Sequence, residues 1–215
     1  MKNIIVTIDG PAGSGKGKIA KYISKKWNLC HLDSGILYRR IADLLIKSNL
    51  DIKNLNQIRE YLKKIKHISF KKHKSLRREE IGKISSKIAI FQDVRKFVNK
   101  LQRNFVKQNI TKYGFVIDGR DIGSVVFKNA NLKLYIDVDV EIRAKRRYKQ
   151  LIDIGEKSIY RQILKEIILR DKLDKNRKNS PLIIPKGAYV INNNYSLYNT
   201  YKQINELINK IWYAK

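Results

Sequence analysis

The sequence predicts an α/β fold in which a parallel sheet of about five strands is flanked by helices. Three observations carry this. Short β-rich runs alternate with segments of helical periodicity, the first run is continuously apolar and β-branched, and a glycine-rich turn joins that run to a helix. Asn3 to Asp9 is that first run, bounded by Gly10-Pro11. From Gly15 to Trp27 the period changes: Ile19, Ala20, Ile23 and Trp27 define one helix face. Leu29 to Leu32 reads as a second strand, and Ser34 as the cap of a helix carrying Leu37, Ile41, Leu44 and Leu45. Asp51 to about residue 112 breaks the rhythm with a charged, helix-leaning insertion. Within it, Ser85 to Val106 reads as a helix, with apolar residues at Ile88, Phe91, Val94, Val98, Leu101 and Phe105, and Ile68-Ser69-Phe70 as a candidate strand. Tyr113 to Asp118 and Leu132 to Asp137 restore the strands, each ending in a carboxylate. Helices over Glu141 to Ile152 and Ser158 to Leu173, a strand at Tyr189-Val190-Ile191 and an amphipathic helix over Leu197 to Ile211 complete the chain.

The composition excludes several classes. With 11 Gly, 3 Pro and 1 Cys in 215 residues, the chain is neither collagen-like, disulfide-stapled nor low-complexity. Its length suits one compact domain. Cys30 is expected to act as a small buried hydrophobe. No apolar run approaches the ~20 residues that cross a bilayer, and the N-terminal residues do not read as a leader, so a cytoplasmic location with no membrane partner is expected. Against 19 Asp+Glu stand 47 Lys+Arg, a formal net charge of +28. The basic residues are spread along the whole chain, the pattern of a solvated positive surface. No zinc-finger spacing, basic-zipper heptad or aromatic ribonucleoprotein signature is present, so no specific nucleic-acid partner is expected. Such a field attracts small polyanions, nucleotides among them, and weakens with salt.

Gly10-Pro11-Ala12-Gly13-Ser14-Gly15-Lys16 matches the core of a phosphate-binding P-loop, directly after a strand and before a helix. Glycines free backbone N–H groups to surround phosphate oxygens, the helix N-terminus adds its dipole, and Lys16 adds a full charge. The strict pattern then departs, because Gly17 stands where Ser or Thr usually holds magnesium. Gly-Lys-Gly-Thr occurs in nucleoside monophosphate kinases, which this loop resembles up to Gly17; Lys18 follows, without a hydroxyl.

Moving a phosphoryl group between nucleotides gathers negative charge, so cations must converge on the site. Three segments offer them: Leu32-Asp33-Ser34-Gly35-Ile36-Leu37-Tyr38-Arg39, Asp118-Gly119-Arg120-Asp121-Ile122-Gly123, and Arg170 to Arg177. Ligands of open α/β sheets bind beyond the carboxyl ends of the strands, where the P-loop and the first two segments are expected to meet. Asp33 and Asp118 suit either turn capping or a place near magnesium through water. His31, His67 and His73 show no partner pattern, and Trp27 and Trp212 read as packing residues.

Together these segments resemble the bacterial cytidylate kinase family over nearly the whole chain; Leu-Asp-Ser-Gly with Tyr-Arg, and Asp-Gly-Arg-Asp followed by Gly and Val125-Val126-Phe127, are the most specific parts. The resemblance implies a P-loop kinase fold with an acceptor-binding insertion, a short lid over about 143–158, and phosphorylation of CMP and dCMP by ATP with Mg²⁺. It implies that Gly10 through Lys18 bind ATP and that Lys16, Arg120, Arg146 and Arg177 serve the transfer. Arg39, Arg120 and Arg177 would hold the acceptor phosphate, a task for which bidentate Arg is better suited than Lys. Ser86, Arg95 and Asp121 would read the cytosine edge, Arg170 and Asp174 would contact the sugar, and Ser34 would sit near the acceptor. Arg143, Arg146 and Arg147 would belong to the lid. The chain departs from the family at Lys18, where threonine is usual, and in a shortened stretch around Lys71 to Ser75 that usually holds a small β-hairpin. Two other readings compete: another small P-loop kinase acting on UMP, AMP or a non-nucleotide alcohol, and a non-catalytic basic protein that binds RNA through its field. A monomer is the default expectation.

Overall fold

The computed structural model describes residues 4–71, 73–109, 113–153 and 155–212, with the side chains of 77, 79 and 210–212 left aside. Five parallel strands form one sheet in the order β2-β3-β1-β4-β5: β1 (Ile4–Asp9), β2 (Cys30–Asp33), β3 (Gly114–Gly119), β4 (Leu132–Asp137) and β5 (Tyr189–Asn192). The central strand β1 is buried because Val6 and Ile8 turn to one face and Thr7 and Asp9 to the other, all fully covered. Register sets Asp9 beside Gly119 and Asp33 beside Asp118, so the strand ends meet at one edge.

Helices α1 (Lys16–Lys26) and α8 (Leu197–Trp212) close one face through Ile19, Ala20, Ile23, Ile204 and Ile208. Trp27 packs partly buried against this core, edge-on to Tyr22; the side chain of Trp212 lies outside the described residues. A second core joins α2 (Ser34–Lys47), α3 (Leu55–Lys64), α4 (Glu79–Ile88) and α5 (Gln92–Gln108), with Leu37, Ile41, Leu45, Ile81, Ile88, Val94 and Val98 at its centre. Finally α6 (Val140–Ile152) and α7 (Tyr160–Asn176) pair through Ala144, Leu151, Ile163 and Ile167.

Four expectations are corrected. Ile68-Ser69-Phe70 joins no strand; Ile68 is buried among the helices and the Phe70 ring lies 4.7 Å from that of Phe105, so its apolar pattern reports packing and not pairing. The segment from Ser85 to Val106 is two helices, broken at Ala89 to Phe91 without glycine or proline. There Arg95 Nη1 donates to the Ala89 carbonyl at 2.9 Å, supplying a partner for a group the helix end leaves over. Ser34 caps nothing: Asp33 takes the N-cap position without a side-chain cap bond, and Ser34 Oγ donates across to Asp118 O at 2.7 Å. Cys30 is only partly buried, at the edge of the cluster around Phe115 and Ile117. One further element was not foreseen, a π-helical turn at Ile122–Val126.

Candidate active site

The P-loop leaves β1 through Gly10, where any Cβ would fall 2.5 Å from the Ile136 carbonyl oxygen, and enters α1 through Gly15 in the left-handed region, φ 86°. At Gly15 a Cβ would also meet Asn193 Nδ2 at 2.7 Å. Lys16 is buried; its Nζ donates to Pro11 O at 2.6 Å and to Ser14 Oγ at 3.2 Å. Burial, with Arg120 acting in the same direction, drives its pKa well below the usual lysine range despite Asp118, Asp174 and Asp9. That is a cation held out of water at the mouth of an anion-binding loop. Gly17 and Lys18 open the helix, and Lys18 is exposed on its first turn.

The arginines converge on the same edge. Arg120, just past β3, donates Nε to Asp174 Oδ2 at 3.0 Å, and Arg177 Nη1 meets the other Asp174 oxygen at 3.3 Å. Arg177 Nε also donates to Ser180 O. Burial opposes the Asp174 charge, but Arg120, Arg177 and Arg170 outweigh it and hold the carboxyl below its ordinary pKa. Arg170 is pushed down to about 10 by burial and then by Arg120, with Arg39 adding to the repulsion. Arg39 donates Nη1 to Leu76 O at 2.7 Å, and Gly82 leaves room for its guanidinium, which a Cβ there would approach to 3.5 Å. Arg39, Arg120, Arg170 and Arg177 thus share one electrostatic neighbourhood, in which Asp174 is bonded to both Arg120 and Arg177. Such a cluster of guanidinium groups suits a phosphate monoester.

Beside it lies a buried ion pair, Arg95 Nη2 to Asp121 Oδ2 at 2.5 Å, with the Arg95 guanidinium 5.7 Å from the centre of the Tyr38 ring. Burial raises the pKa of the Tyr38 phenol, whose oxygen has no hydrogen-bond partner among the described residues. Ser86 sits on α4 one turn before Ala89, the residue that receives Arg95, and its Oγ donates back to Gly82 O at 3.1 Å. Arg146 reaches from α6 to Tyr195 O at 3.0 Å, and Arg147 is exposed. Arg143 departs from the lid expectation: only 4% exposed, it is bonded into the interior and presents no free guanidinium to a cleft.

Sequence reasoning missed three contributors. Asp9, fully buried, accepts the N–H groups of Ile122 at 2.8 Å and Gly123 at 2.7 Å, so one carboxylate ties the start of the P-loop to the turn that follows Arg120 and Asp121. Gly123 is required there, since a Cβ would fall 2.8 Å from Thr7 Oγ1. Its only sequence signal was a carboxylate closing a buried strand. His31 Nε2 bonds Asp118 Oδ1 at 2.6 Å, and Asn193 Nδ2 donates to Ser14 O at 2.8 Å; neither lies in a recognisable pattern. His67 is exposed, and His73 caps the short turn Lys74–Arg77 by accepting from Ser75 N.

Burial raises the Asp9 pKa to about 6, with its two backbone donors resisting. A carboxyl that holds its proton more tightly folded than unfolded adds most stability below pH 4 and loses that contribution as pH rises through 6. Between pH 4 and 7, chemical denaturation should show the wild type losing up to about 3 kcal/mol relative to Asp9→Asn. A difference that does not change with pH would contradict this.

A phosphate loop with a desolvated lysine, faced by a cluster of arginines, is the arrangement of a P-loop phosphotransferase. Comparison with known proteins makes this specific. The cytidylate kinase family model matches residues 6–213, and the chain belongs to that family. Cytidylate kinase from Rickettsia akari (strain Hartford) is 42% identical over 190 residues, 88% of this chain and 84% of that one. That from Bartonella tribocorum is 38% identical over 195 residues, 89% and 87% of the two chains. In architecture the chain is similar to TT1252 from Thermus thermophilus, with a TM-score of 0.53 at 15% identity and 98% of each chain covered. Among the described residues no helix is long and apolar enough to cross a membrane.

Proposed function

We propose that the protein transfers the terminal phosphoryl group of ATP directly to the phosphate of CMP or dCMP, giving CDP or dCDP. The observation that carries this reading is the convergence of Lys16 with Arg39, Arg120, Arg170 and Arg177 at one edge of the sheet, in a chain matched by the family from end to end. The loop amides and Lys16 bind the donor phosphates and stabilise charge on the transferred group. Arg39, Arg120 and Arg177 orient the acceptor phosphate in line, Asp174 with Arg170 takes the sugar, and Arg95, Asp121 and Ser86 read the base. Arg146, in a lid that begins beyond the buried Arg143, excludes water from the donor side. No enzyme-bound phosphoryl intermediate is required. The protein works as a monomer without nucleic-acid or membrane partners.

Magnesium fits the residues present. Asp118 Oδ2 faces the first turn of α1, where a Cβ on Gly17 would lie 4.0 Å from it, and no group of three or more His, Cys, Asp or Glu forms a cage among the described residues. A hard cation held mainly by nucleotide phosphates and waters, with Asp118 and Asp33 behind the waters, matches that donor set. When bound, the ion neutralises charge on the donor phosphates.

The Lys18 departure has a measurable cost. Its ammonium stands near a helix N-terminus, whose dipole it opposes, and brings no hydroxyl for the metal. Turnover is therefore reduced but real, and Lys18→Thr should raise kcat; a fall in that variant would contradict the assignment. The function itself is tested by following ADP formation from ATP and magnesium with CMP, dCMP, UMP and AMP offered separately. CMP- and dCMP-dependent turnover supports the reading. Turnover with UMP or AMP alone would assign another acceptor, and salt-sensitive RNA binding without any turnover would replace catalysis altogether.

A further inference from the structure

Two carbonyls of the P-loop are held from outside by buried side chains. Arg143 Nη1, from α6, donates to Ala12 O at 3.0 Å, while Nε takes Val138 O at 3.0 Å and Nη2 takes Asp171 Oδ2 at 2.6 Å. Asn193, just beyond β5 and 1% exposed, donates Nδ2 to Ser14 O at 2.8 Å, with its amide oriented by Thr200 Oγ1, which donates to Asn193 Oδ1 at 2.7 Å. Thr200 is itself fully buried on α8.

Among the described residues there are no cis peptide bonds, and in a planar trans peptide the C=O and the following N–H point in opposite directions. Drawing the Ala12 carbonyl toward Arg143 therefore aims the Gly13 N–H away from it, and drawing the Ser14 carbonyl toward Asn193 does the same for the Gly15 N–H. Both glycines lie in the left-handed region, φ 75° and 86°, where these alternating orientations need no strain. Among the described residues neither amide donates a backbone hydrogen bond. We propose that Arg143 and Asn193 are positioning residues for the donor nucleotide: by pinning the Ala12 and Ser14 carbonyls outward, they set the Gly13 and Gly15 amides as phosphate donors before ATP arrives. The inference rests on the donor-site reading above. It also gives Arg143 a role that does not require it to move with a lid, and it links the loop through Asp171 to α7, the helix that carries Arg170 and Asp174.

Asn193→Asp tests this with the least change of shape. The carboxylate still accepts from Thr200 but cannot donate to Ser14 O, and it repels that carbonyl. Calorimetric titration with ADP should show affinity weakened by about tenfold, the scale of losing one well-aligned donor to a charged group. CMP affinity should stay within about twofold of wild type. Thr200→Val, which keeps the packing and removes only the donor that orients the amide, should weaken ADP about threefold and serves if the first variant does not fold. ADP affinity unchanged in a folded variant, or ADP and CMP affinities falling together, would overturn the proposal. Since ADP binding is the readout, the outcome is separate from that of the acceptor assignment: a wild type that binds ADP without phosphorylating CMP fails only the latter.

Discussion

Lys16→Ala should lower kcat by two to three orders of magnitude while leaving the protein folded. Removing one preorganised charge or donor from a transition state typically costs about 3–4 kcal/mol. Lys16 is the only loop residue that brings a full charge to the buried side of the cradle; Lys18, the other cation of the segment, is exposed. The fold has little to lose, since burial and Arg120 already disfavour the ammonium and alanine is the best helix former at the opening of α1. A steady-state assay paired with circular dichroism separates the two effects. Wild-type turnover in a folded variant would end the mechanism.

Arg95→Ala and Asp121→Ala should each raise the KM for CMP sharply and leave that for ATP nearly unchanged. They should also lower stability, because truncating one partner of a pair this deeply buried strands the other charge, at about 3–5 kcal/mol. Two causes therefore act at once, and a double variant with apolar residues, Arg95→Met with Asp121→Leu, pulls them apart. It should recover much of the thermal stability, since no charge is left uncompensated, without recovering CMP affinity. If CMP affinity returned with stability, the pair would be structural and the base would be read elsewhere. A uniform loss for CMP and ATP would count equally against the assignment.

Strands β1, β3 and β4 were legible because they are short and lie deep in the sheet, whereas the edge strand β5 leaves Tyr189 and Val190 exposed. Residues such as Val6, Ile8, Phe115, Ile117, Leu134 and Ile136 have no solvent to face, so apolar runs and strands coincide. The helical insertion was legible only in part. Ile88, Phe91 and Val94 keep helical spacing straight through the break at Ala89 to Phe91, so periodicity gives no warning. The break is held in part by Arg95, six residues on in the first turn of α5, whose use of the Ala89 carbonyl leaves no mark in the apolar spacing. Ile68 to Phe70 shows the converse, since apolar residues in a row record burial and say nothing about whether a neighbouring strand exists. In the site, residues within contiguous motifs were found by reading; those acting across the fold were not. Asp9 reaches residues more than a hundred positions away, and Asn193 and His31 likewise engage partners that only the sheet order brings near.

The central claim, that the gathered arginines and the Arg95–Asp121 pair receive a cytidine monophosphate, is tested most directly by competition. Purified protein given ATP, magnesium and equal concentrations of CMP and UMP, with products separated by chromatography, should form CDP in large excess, and ADP in equal amount to the total nucleoside diphosphate made from the acceptors. UDP as the main product, or ADP released without a phosphorylated acceptor, would contradict it.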